Sequence, residues 1–309
     1  DLAHTRVGLR KIHIDEHGKI CLNGRPYYQR LVLDQGYWRE SGLTPPSAEA
    51  LKKDIEFAKA MGFNGARKHQ KAEDPYYCYY AEELGFLTWC EMPSAYRYNA
   101  KEAQSLLSEW QEMLATAKNC TSNVCYVPLN ESWGVREIVT DKAQKDFARA
   151  MYYATIAIDG EKLISTNDGF ETVNPTDILG VHDYDSDKAE DFRKYADEQY
   201  DGMHPQGFAL FADGERYAGE PVLLTEFGGR ALQADAKGEA WGYSGAAANE
   251  EAFLKQLQSI MKGVYACNFQ GYCYTQLTDV QQEVNGLLYA DRTPKVDVER
   301  LKELFVGKN

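Results

Sequence analysis

The sequence predicts an α/β protein built as a single (β/α)8 barrel, the TIM-barrel class. Eight apolar segments of strand length alternate with amphipathic segments of helix length or with loops. The strand segments are apolar almost throughout, which is typical of parallel strands buried on both faces. The alternating units extend over roughly 250 residues, the usual size of one such barrel. The predicted strands are residues 27–33, 63–67, 86–91, 123–129, 162–166, 178–182, 221–226 and 269–276.

Capping residues and glycines mark the ends of the predicted helices. Ser47 precedes an apolar face that includes Leu51 and Ile55, and Gly62 follows it, which is a typical start and stop pattern. The segment between the fifth and sixth strands is too short for a strong helix and contains Pro175. No glycine-rich phosphate loop follows an early strand, so a doubly wound sheet is the less favoured alternative. Helices are predicted over residues 48–61, 75–84, 100–118, 141–158, 188–200, 249–264 and 297–305.

The chain divides into a short entry and one large unit. Residues 1–26 are predicted to form a β-like entry segment with turns at His17-Gly18 and Asn23-Gly24, and residues 27–309 to form the barrel. A long loop rich in alanine and glycine covers residues 228–245. We predict that this loop is a mobile wall of the functional site, because long loops in compact domains are often functional.

Composition and charge exclude several classes of partner. The 309 residues are 44% hydrophobic and 26% charged, and the net charge is −13. Nucleic acids and anionic membranes require a basic surface, so neither is expected as a partner. The longest apolar stretches have strand length, which argues against a transmembrane helix. Seven irregularly spaced cysteines with no C-x-x-C pair favour a reduced compartment and predict a cytoplasmic location.

Two glutamates carry the main functional hypothesis. Glu131 and Glu226 each end an apolar, strand-like run, whereas most of the other 45 acidic residues are expected on the solvated surface. A charge directly after a buried strand costs free energy unless it has a partner or a task. In a barrel, both would lie at the carboxyl ends of strands, where the chemistry takes place. Two such carboxylates can cleave a glycoside, since one protonates the leaving oxygen and the other attacks the anomeric carbon.

The ordered motifs at the strand ends resemble glycoside hydrolase family 2, which belongs to a clan of retaining glycosidases with (β/α)8 barrels. The resemblance covers about residues 8 to 300, and the order and spacing of the motifs are more specific than any one of them. The motifs are Gly8-Leu9-Arg10 with Leu22-Asn23-Gly24-Arg25-Pro26, then Gly62 to His69, Asn130-Glu131, Thr225-Glu226-Phe227-Gly228, Tyr274 to Asp279, and Asn285-Gly286-Leu287.

The resemblance implies a role for five residues. Glu131 would be the general acid and then the general base, and Glu226 would be the nucleophile that forms a glycosyl ester. Asn130 would bind the sugar 2-hydroxyl, a contact that strengthens in the transition state. Arg67 would lie near Glu226 and keep it ionised. Tyr184 would donate a hydrogen bond to Glu226. One carboxyl would thus be protonated at rest and the other ionised.

Five further residues are candidates with an ordinary structural alternative. His69 either binds a substrate hydroxyl or supports the fold. Asp34, Trp38 and Trp133 follow strands one and four and would line the cleft, although each tryptophan can equally pack under a loop. Tyr274 occupies the position where the clan often has a tryptophan floor for the sugar, so it is a candidate for stacking.

The same reasoning yields three functional hypotheses. The first is a retaining, exo-acting β-glycosidase similar to β-galactosidases, acting without an obligatory cofactor or metal. Family members that act on glucuronides carry an Asn-x-Lys pair for the substrate carboxylate, whereas Asn285 is followed here by Gly286-Leu287; a β-glucuronide or a β-mannoside is therefore the alternative substrate. The second is a barrel that binds carbohydrate without cleaving it. The third is a metal-dependent hydrolase centred on His182 and Asp183, for which no third ligand stands at a convincing spacing.

The resemblance also implies partners within the same polypeptide. Family members usually carry a jelly-roll domain and an immunoglobulin-like domain before the barrel, and both are absent from this chain. We therefore expect further domains of the same polypeptide, which would supply part of the wall of the site.

Overall fold

The central feature of the computed structural model is an eight-stranded parallel sheet. The structure describes residues 7–232, 240–243 and 245–307. Numbered in chain order, the strands lie side by side in the order 5-4-3-2-1-8-7-6. Strands 1 to 8 are Gln29–Asp34, Gly65–Lys68, Leu87–Glu91, Asn123–Val127, Leu163–Ile164, Leu179–Asp183, Val222–Phe227 and Gly271–Tyr274. All eight correspond to predicted strands.

The sheet is curled, and its two edge strands are consecutive in the chain. Strands 5 and 6 form the edges, yet the carbonyl oxygen of Ile164 in strand 5 accepts backbone N–H bonds from Asp177 at 2.8 Å and Ile178 at 3.3 Å, just before strand 6. Successive side chains of a strand point to opposite faces. Leu31, Trp89 and Leu223 belong to an inner cluster made of strand and entry residues. Their neighbours Val32, Cys90 and Leu224 pack in two outer clusters with the helices.

Among the described residues, six α-helices cover the outer face, and each starts at a capping side chain. The Ser47 hydroxyl, for example, accepts the Ala50 N–H at 3.2 Å, which satisfies one of the unpaired donors of the first turn. Gly85 ends the second helix with φ +63°, the left-handed conformation that favours glycine. No helix in the described part of the chain is long and apolar enough to span a membrane. The helices are Ala48–Ala60, Pro75–Leu84, Ala100–Ala117, Lys142–Ile158, Glu250–Ala266 and Val298–Val306.

Two segments differ from regular helices. The α-helix predicted over 188–200 is wrong in type, because the chain forms a short 3₁₀ helix at Ala189–Tyr195. The Asp191 carboxylate accepts the N–H groups of Asp187 and Lys188, and such local side-chain bonds compete with α-helical pairing. Between strands 5 and 6 the described backbone forms no helix, as the presence of Pro175 predicted.

The entry segment closes the inner face of the sheet. It forms an antiparallel three-stranded sheet of Ile12–Ile14, Ile20–Leu22 and Arg25–Pro26. Ile12 and Ile20 are buried with the inner residues of the strands. The predicted wall at 228–245 is only partly described: Ala231–Leu232 pairs with Ala246–Ala247, while residues 233–239 and 244 lie outside the described residues, as do residues 1–6 and 308–309.

One pair of cysteines forms a disulfide that the sequence analysis did not predict. A disulfide joins Cys78, in the second helix, to Cys120, which follows the third helix. The other five cysteines are free. Irregular spacing concealed the pair, since the two residues are 42 positions apart in sequence and meet only when the two helices fold onto adjacent strands.

We expect reduction of this disulfide to destabilise the fold. Closing a loop of 42 residues lowers the entropy of the unfolded chain and should stabilise the folded state by about 2–4 kcal/mol. Denaturant unfolding with and without a thiol reductant measures this difference. The Cys78→Ser/Cys120→Ser variant should show the lower stability and no response to reductant; equal stability of oxidised and reduced wild type would contradict the expectation.

Candidate active site

Arg67 is the centre of a buried polar cluster at the carboxyl ends of the strands. Its side chain extends from strand 2 and is fully buried. The guanidinium contacts residues of five other strand ends: Glu91 at 2.5 Å, Asn130 at 2.5 Å, Asp168 at 2.9 Å, Glu226 at 3.1 Å and His182 at 3.2 Å. A buried cation requires partners such as the three carboxylates and the Asn130 amide oxygen to offset its desolvation.

His182 links the two glutamates that the sequence singled out. Its Nδ1 lies 2.7 Å from Glu131 Oε1, and its Nε2 lies 3.0 Å from Asp168 Oδ2 and 3.5 Å from Glu226 Oε1. Burial opposes the charge on His182, but Glu226, Asp168 and Glu131 outweigh it and raise its pKa to about 10. His182 is therefore an imidazolium at neutral pH. Asp168 approaches this close only because Gly180 has no side chain: a Cβ there would lie 1.9 Å from Asp168 Oδ1.

The general-acid candidate Glu131 is held in an unusual backbone conformation. Glu131 and Ser132 have φ angles of +50° and +55°, a region that costs free energy for non-glycine residues and is concentrated at functional sites. Backbone N–H bonds from Glu131 to the Asp168 carbonyl (2.9 Å) and from Ser132 to Asn167 Oδ1 (3.1 Å) hold the turn. The carboxylate remains the more accessible of the pair, with 25% exposure against 6% for Glu226.

The protonation of Glu131 differs from the expectation of a carboxyl that is protonated at rest. Burial favours the neutral form, but the hydrogen bond and charge of His182, assisted by His69 and Arg67, lower the pKa of Glu131 below its usual value. In the free site, the proton of the Glu131–His182 pair is therefore on the imidazole. The sequence provided no signal for this, because it does not reveal which side chain faces Glu131.

A β-bulge directs the nucleophile candidate Glu226 into the site. The register of strands 6 and 7 pairs Leu224 with Val181 and then Glu226 with His182, so Thr225 is an extra residue. Such a bulge redirects the following side chain. The Glu226 carboxylate accepts hydrogen bonds from Arg67 at 3.1 Å and from the Tyr184 hydroxyl at 2.7 Å. Both contacts are those that the resemblance implied.

Asn130 and His69 also face this cluster. Asn130 Oδ1 accepts from Arg67, while its buried Nδ2 has no hydrogen-bond partner among the described residues. A buried donor without a partner is costly, so this amide is available to a ligand. His69 Nδ1 lies 2.9 Å from Glu91 Oε1 and 3.9 Å from Glu226 Oε1. Although burial opposes it, the charge of Glu91 raises the pKa of His69.

Three predicted cleft residues lie outside the cluster. Asp34 forms a buried ion pair with Lys68 at 2.6 Å, on the helix side of the sheet. The ring of Trp38 is buried, with the Arg292 guanidinium 3.6 Å from its centroid. Tyr274 packs in the outer core near Phe227 and Phe305. The predictions for Asp34 and Tyr274 are wrong because strand residues alternate between faces, and strand-end position alone does not tell which face a residue occupies. The prediction for Trp38, which lies in the loop after strand 1, is wrong because its ring is buried against Arg292.

The His182–Asp183 pair does not form a shared metal site. The two residues lie on opposite faces of strand 6, and Asp183 binds the hydroxyls of Ser186 and Tyr195 at 2.7 Å each. Glu131, His182 and Glu226 do have oxygen or nitrogen atoms within 4.8 Å of one another. A cation at that position would face the positive charges of Arg67 and protonated His182, which disfavour its binding.

Aromatic side chains flank the two glutamates. Half-buried Trp133 has the Arg136 guanidinium 3.5 Å from its ring centroid, and the same guanidinium donates to the Glu131 carbonyl oxygen at 3.3 Å. Tyr243, which sequence reasoning missed, stacks on Tyr184 with centroids 4.0 Å apart, and exposed Trp241 meets its edge at 5.1 Å. Both missed residues belong to the loop predicted as a wall. The length and glycine content of that loop were the only available signals.

The fold is shared with solved glycosidases, although no family model matches the chain. A GH2 β-galacturonidase from Eisenbergiella tayi bound to galacturonate superposes with TM-score 0.76 at 19% identity, covering 99% of this chain and 56% of that chain. A β-glucuronidase from Ruminococcus gnavus in complex with N1-substituted uronic isofagomine gives 0.74 at 21% identity, covering 97% and 52%. The resemblance to family 2 is thereby confirmed at the level of the fold.

One curated relative is similar over a short segment. The protein named "Putative beta-glucuronidase" from Formosa agariphila is 32% identical over 96 residues, which are 30% of this chain and 11% of that protein. The chain thus spans about half the length of the two solved structures and matches a small part of this relative.

The charge on His182 should give the fold a defined dependence on pH. A group whose pKa is raised on folding stabilises fully below its unfolded value of 6.5 and loses that contribution as the pH rises to about 10. We expect the free energy of unfolding to fall over this window by up to about 1.4 kcal/mol for each pH unit, and this slope to be reduced in His182→Gln. Urea unfolding at a series of pH values measures the slope. The exposed His17→Gln serves as a control, and parallel profiles for wild type and His182→Gln would contradict the assignment.

Proposed function

We propose that this chain belongs to glycoside hydrolase family 2 and is the catalytic domain of a retaining β-glycosidase. The observation that carries the proposal is the pairing of Glu131 and Glu226 at the ends of strands 4 and 7, where both contact His182. One oxygen of each carboxylate lies within 4.8 Å of the other. Retaining glycosidases separate their carboxyl groups by about 5 Å, whereas inverting enzymes leave more space for a water molecule.

We also propose that the curled sheet is a closed barrel. Arg67 in strand 2 contacts residues at or beyond the ends of strands 3, 4, 5, 6 and 7. One side chain reaches so many strands only if they surround it. The backbone bonds from residues 177 and 178 to Ile164 support closure between strands 5 and 6.

In the first step, Glu226 attacks the anomeric carbon and the bond to the leaving oxygen breaks. Arg67 and Tyr184 donate hydrogen bonds to the Glu226 carboxylate and orient it for this attack. The proton passes from His182 Nδ1 to Glu131 and from Glu131 to the leaving oxygen, so that His182 becomes neutral. The free Nδ2 of Asn130 donates to the sugar 2-hydroxyl, a contact that strengthens in the oxocarbenium-like transition state.

In the second step, water hydrolyses the glycosyl ester. Glu131, now a carboxylate, removes a proton from the water as its oxygen attacks the anomeric carbon. Glu226 leaves as a carboxylate, and the proton returns to His182. Both steps use groups of this chain alone, so the proposal includes no cofactor.

Two sugar classes are candidates for the substrate. At Asn285, which is followed by Gly286-Leu287 and not by the lysine of an Asn-x-Lys pair, the sequence favours a neutral, β-galactoside-type sugar, with exo-acting cleavage, as in the family's β-galactosidases. The relatives named as β-galacturonidase and β-glucuronidase favour a uronide. Further domains of the same polypeptide are proposed as partners, and the cytoplasmic location stays a prediction.

Replacing the nucleophile should abolish turnover. Glu226→Gln retains the size of the side chain but removes the attacking charge, so hydrolysis of aryl β-glycosides should fall below detection while the circular dichroism spectrum is unchanged. Glu299→Gln, on the exposed face of the last helix, is the matched control. Near-full activity of Glu226→Gln would refute the assignment.

Replacing the acid should produce a dependence on the leaving group. Glu131→Ala should slow substrates with poor leaving groups by roughly 10²–10⁴-fold and activated dinitrophenyl glycosides far less, because only the former require protonation. The measurement compares kcat/KM across a series of aryl leaving groups. Equal losses of kcat/KM along the series would count against Glu131 as the general acid. If the wild type bound sugars but hydrolysed none, the hypothesis of a non-catalytic barrel would be favoured.

A further inference from the structure

Four polar side chains form a closed ring of hydrogen bonds beside the proposed site. Gln35 Nε2 donates to Gln276 Oε1 at 2.9 Å and to Glu283 Oε2 at 3.4 Å. Gln276 Nε2 donates to Asn285 Oδ1 at 2.7 Å, and Asn285 Nδ2 donates to Glu283 Oε1 at 3.1 Å. We call this set the amide–carboxylate ring. The mechanism above uses none of its members.

The amide–carboxylate ring adjoins the nucleophile. Gln276 directly follows Thr275, whose hydroxyl lies 2.9 Å from the hydroxyl oxygen of Tyr184, the tyrosine that donates to Glu226. Gln35 directly follows strand 1. The ring therefore stands over strands 1 and 8, at the same end of the sheet as Glu131 and Glu226.

Glu283 gives the amide–carboxylate ring a negative charge without a compensating cation. Within the described residues, no lysine or arginine forms an ion pair with its carboxylate, which accepts hydrogen bonds from the neutral amides of Gln35 and Asn285 and is also hydrogen-bonded to the neutral hydroxyl of Tyr243. The side chain is half-buried. Burial raises the pKa of Glu283, and the hydrogen bonds from Asn285 and Gln35 oppose this. The charges of Glu226 and His69 also act on this carboxyl, in keeping with a place in the same cleft.

The position of the amide–carboxylate ring determines which edge of the sugar it can contact. If Asn130 on strand 4 binds the 2-hydroxyl, the opposite edge of the pyranose faces the strands farthest from strand 4 around the sheet. Strands 1 and 8 lie three and four places away in the order 5-4-3-2-1-8-7-6. Across a pyranose ring from C2 stands C5, which carries the C6 group.

We propose that Glu283 and the amide–carboxylate ring read the C6 side of the sugar and select a neutral β-glycoside over a uronide. The inference rests on the proposed function, which supplies the orientation of the sugar. A C6 hydroxyl donates to the Glu283 carboxylate, and the amides can pair with neighbouring hydroxyls. A C6 carboxylate would instead face a like charge in a partly desolvated site, which is unfavourable. The chain would then differ in specificity from the relatives named as uronidases.

The test uses substrate pairs that differ only at C6. They are 4-nitrophenyl β-galactoside with β-galacturonide, and β-glucoside with β-glucuronide. At pH 7 the wild type should favour the neutral member of at least one pair by about 10- to 100-fold in kcat/KM. Glu283→Gln should reduce that ratio about tenfold or more, mainly by lowering KM for the uronide. Glu283→Asp retains the charge and should keep the preference, and Glu299→Gln serves as an exposed control.

Binding separates this inference from the proposed function. In the Glu226→Gln background, calorimetry compares galactose with galacturonate and glucose with glucuronate, with Glu283 intact or replaced by Gln. If neutral sugars bind more tightly than the uronates but the wild type turns over no substrate, the hydrolase function would be refuted and the role of Glu283 in binding would stand. The inference would be overturned if the wild type preferred the uronide, or if none of the four sugars bound. It would also be overturned if neither Glu283→Gln nor Glu283→Asp changed the ratio of kcat/KM for the neutral sugar to that for the uronide.

Discussion

The burial of one guanidinium organises the functional end of this molecule. Arg67 is removed from solvent, and a buried charge is tolerated only when oppositely charged and polar groups surround it. Glu91, Asp168 and Glu226 provide the opposite charge, and Asn130 provides an acceptor. Because these groups follow different strands, the requirement to pair Arg67 also fixes how those strands curl. The local geometry of the two glutamates and the global shape of the sheet thus depend on the same set of contacts.

The imidazolium of His182 couples the two carboxylates electrostatically. Burial opposes its charge, and Glu226 is the strongest influence in its favour. In the proposed mechanism, Glu226 becomes a neutral ester in the first step, which removes that support at the moment when the proton is required on the leaving oxygen. The nucleophile and the acid therefore need not be tuned separately, since neutralisation of one facilitates proton release toward the other.

Sequence reasoning located the strands but not the face that each residue occupies. The apolar runs predicted all eight strands, and the family resemblance placed Arg67 and Tyr184 against Glu226. Asp34 and Tyr274 were assigned to the wrong face of their strands. The residues before them, Leu33 and Cys273, face the interior, so Asp34 and Tyr274 face the helices. His182 was noticed only as a metal ligand, because its contacts with Glu131 and Asp168 arise from residues 51 and 14 positions away. Polar contacts between different strands follow from tertiary register, for which the residue pattern of one strand contains no information.

The bulge at Thr225 has an effect beyond the direction of Glu226. By adding a residue to strand 7, it leaves the Thr225 carbonyl directed toward the interior, where Arg67 Nη1 donates to it at 3.2 Å. The central cation is thus held partly by the main chain, which every amino acid at position 225 would provide equally. Substitution surveys that replace side chains one at a time would leave this contact in place and underestimate how much of the site's architecture is encoded in the length of a strand.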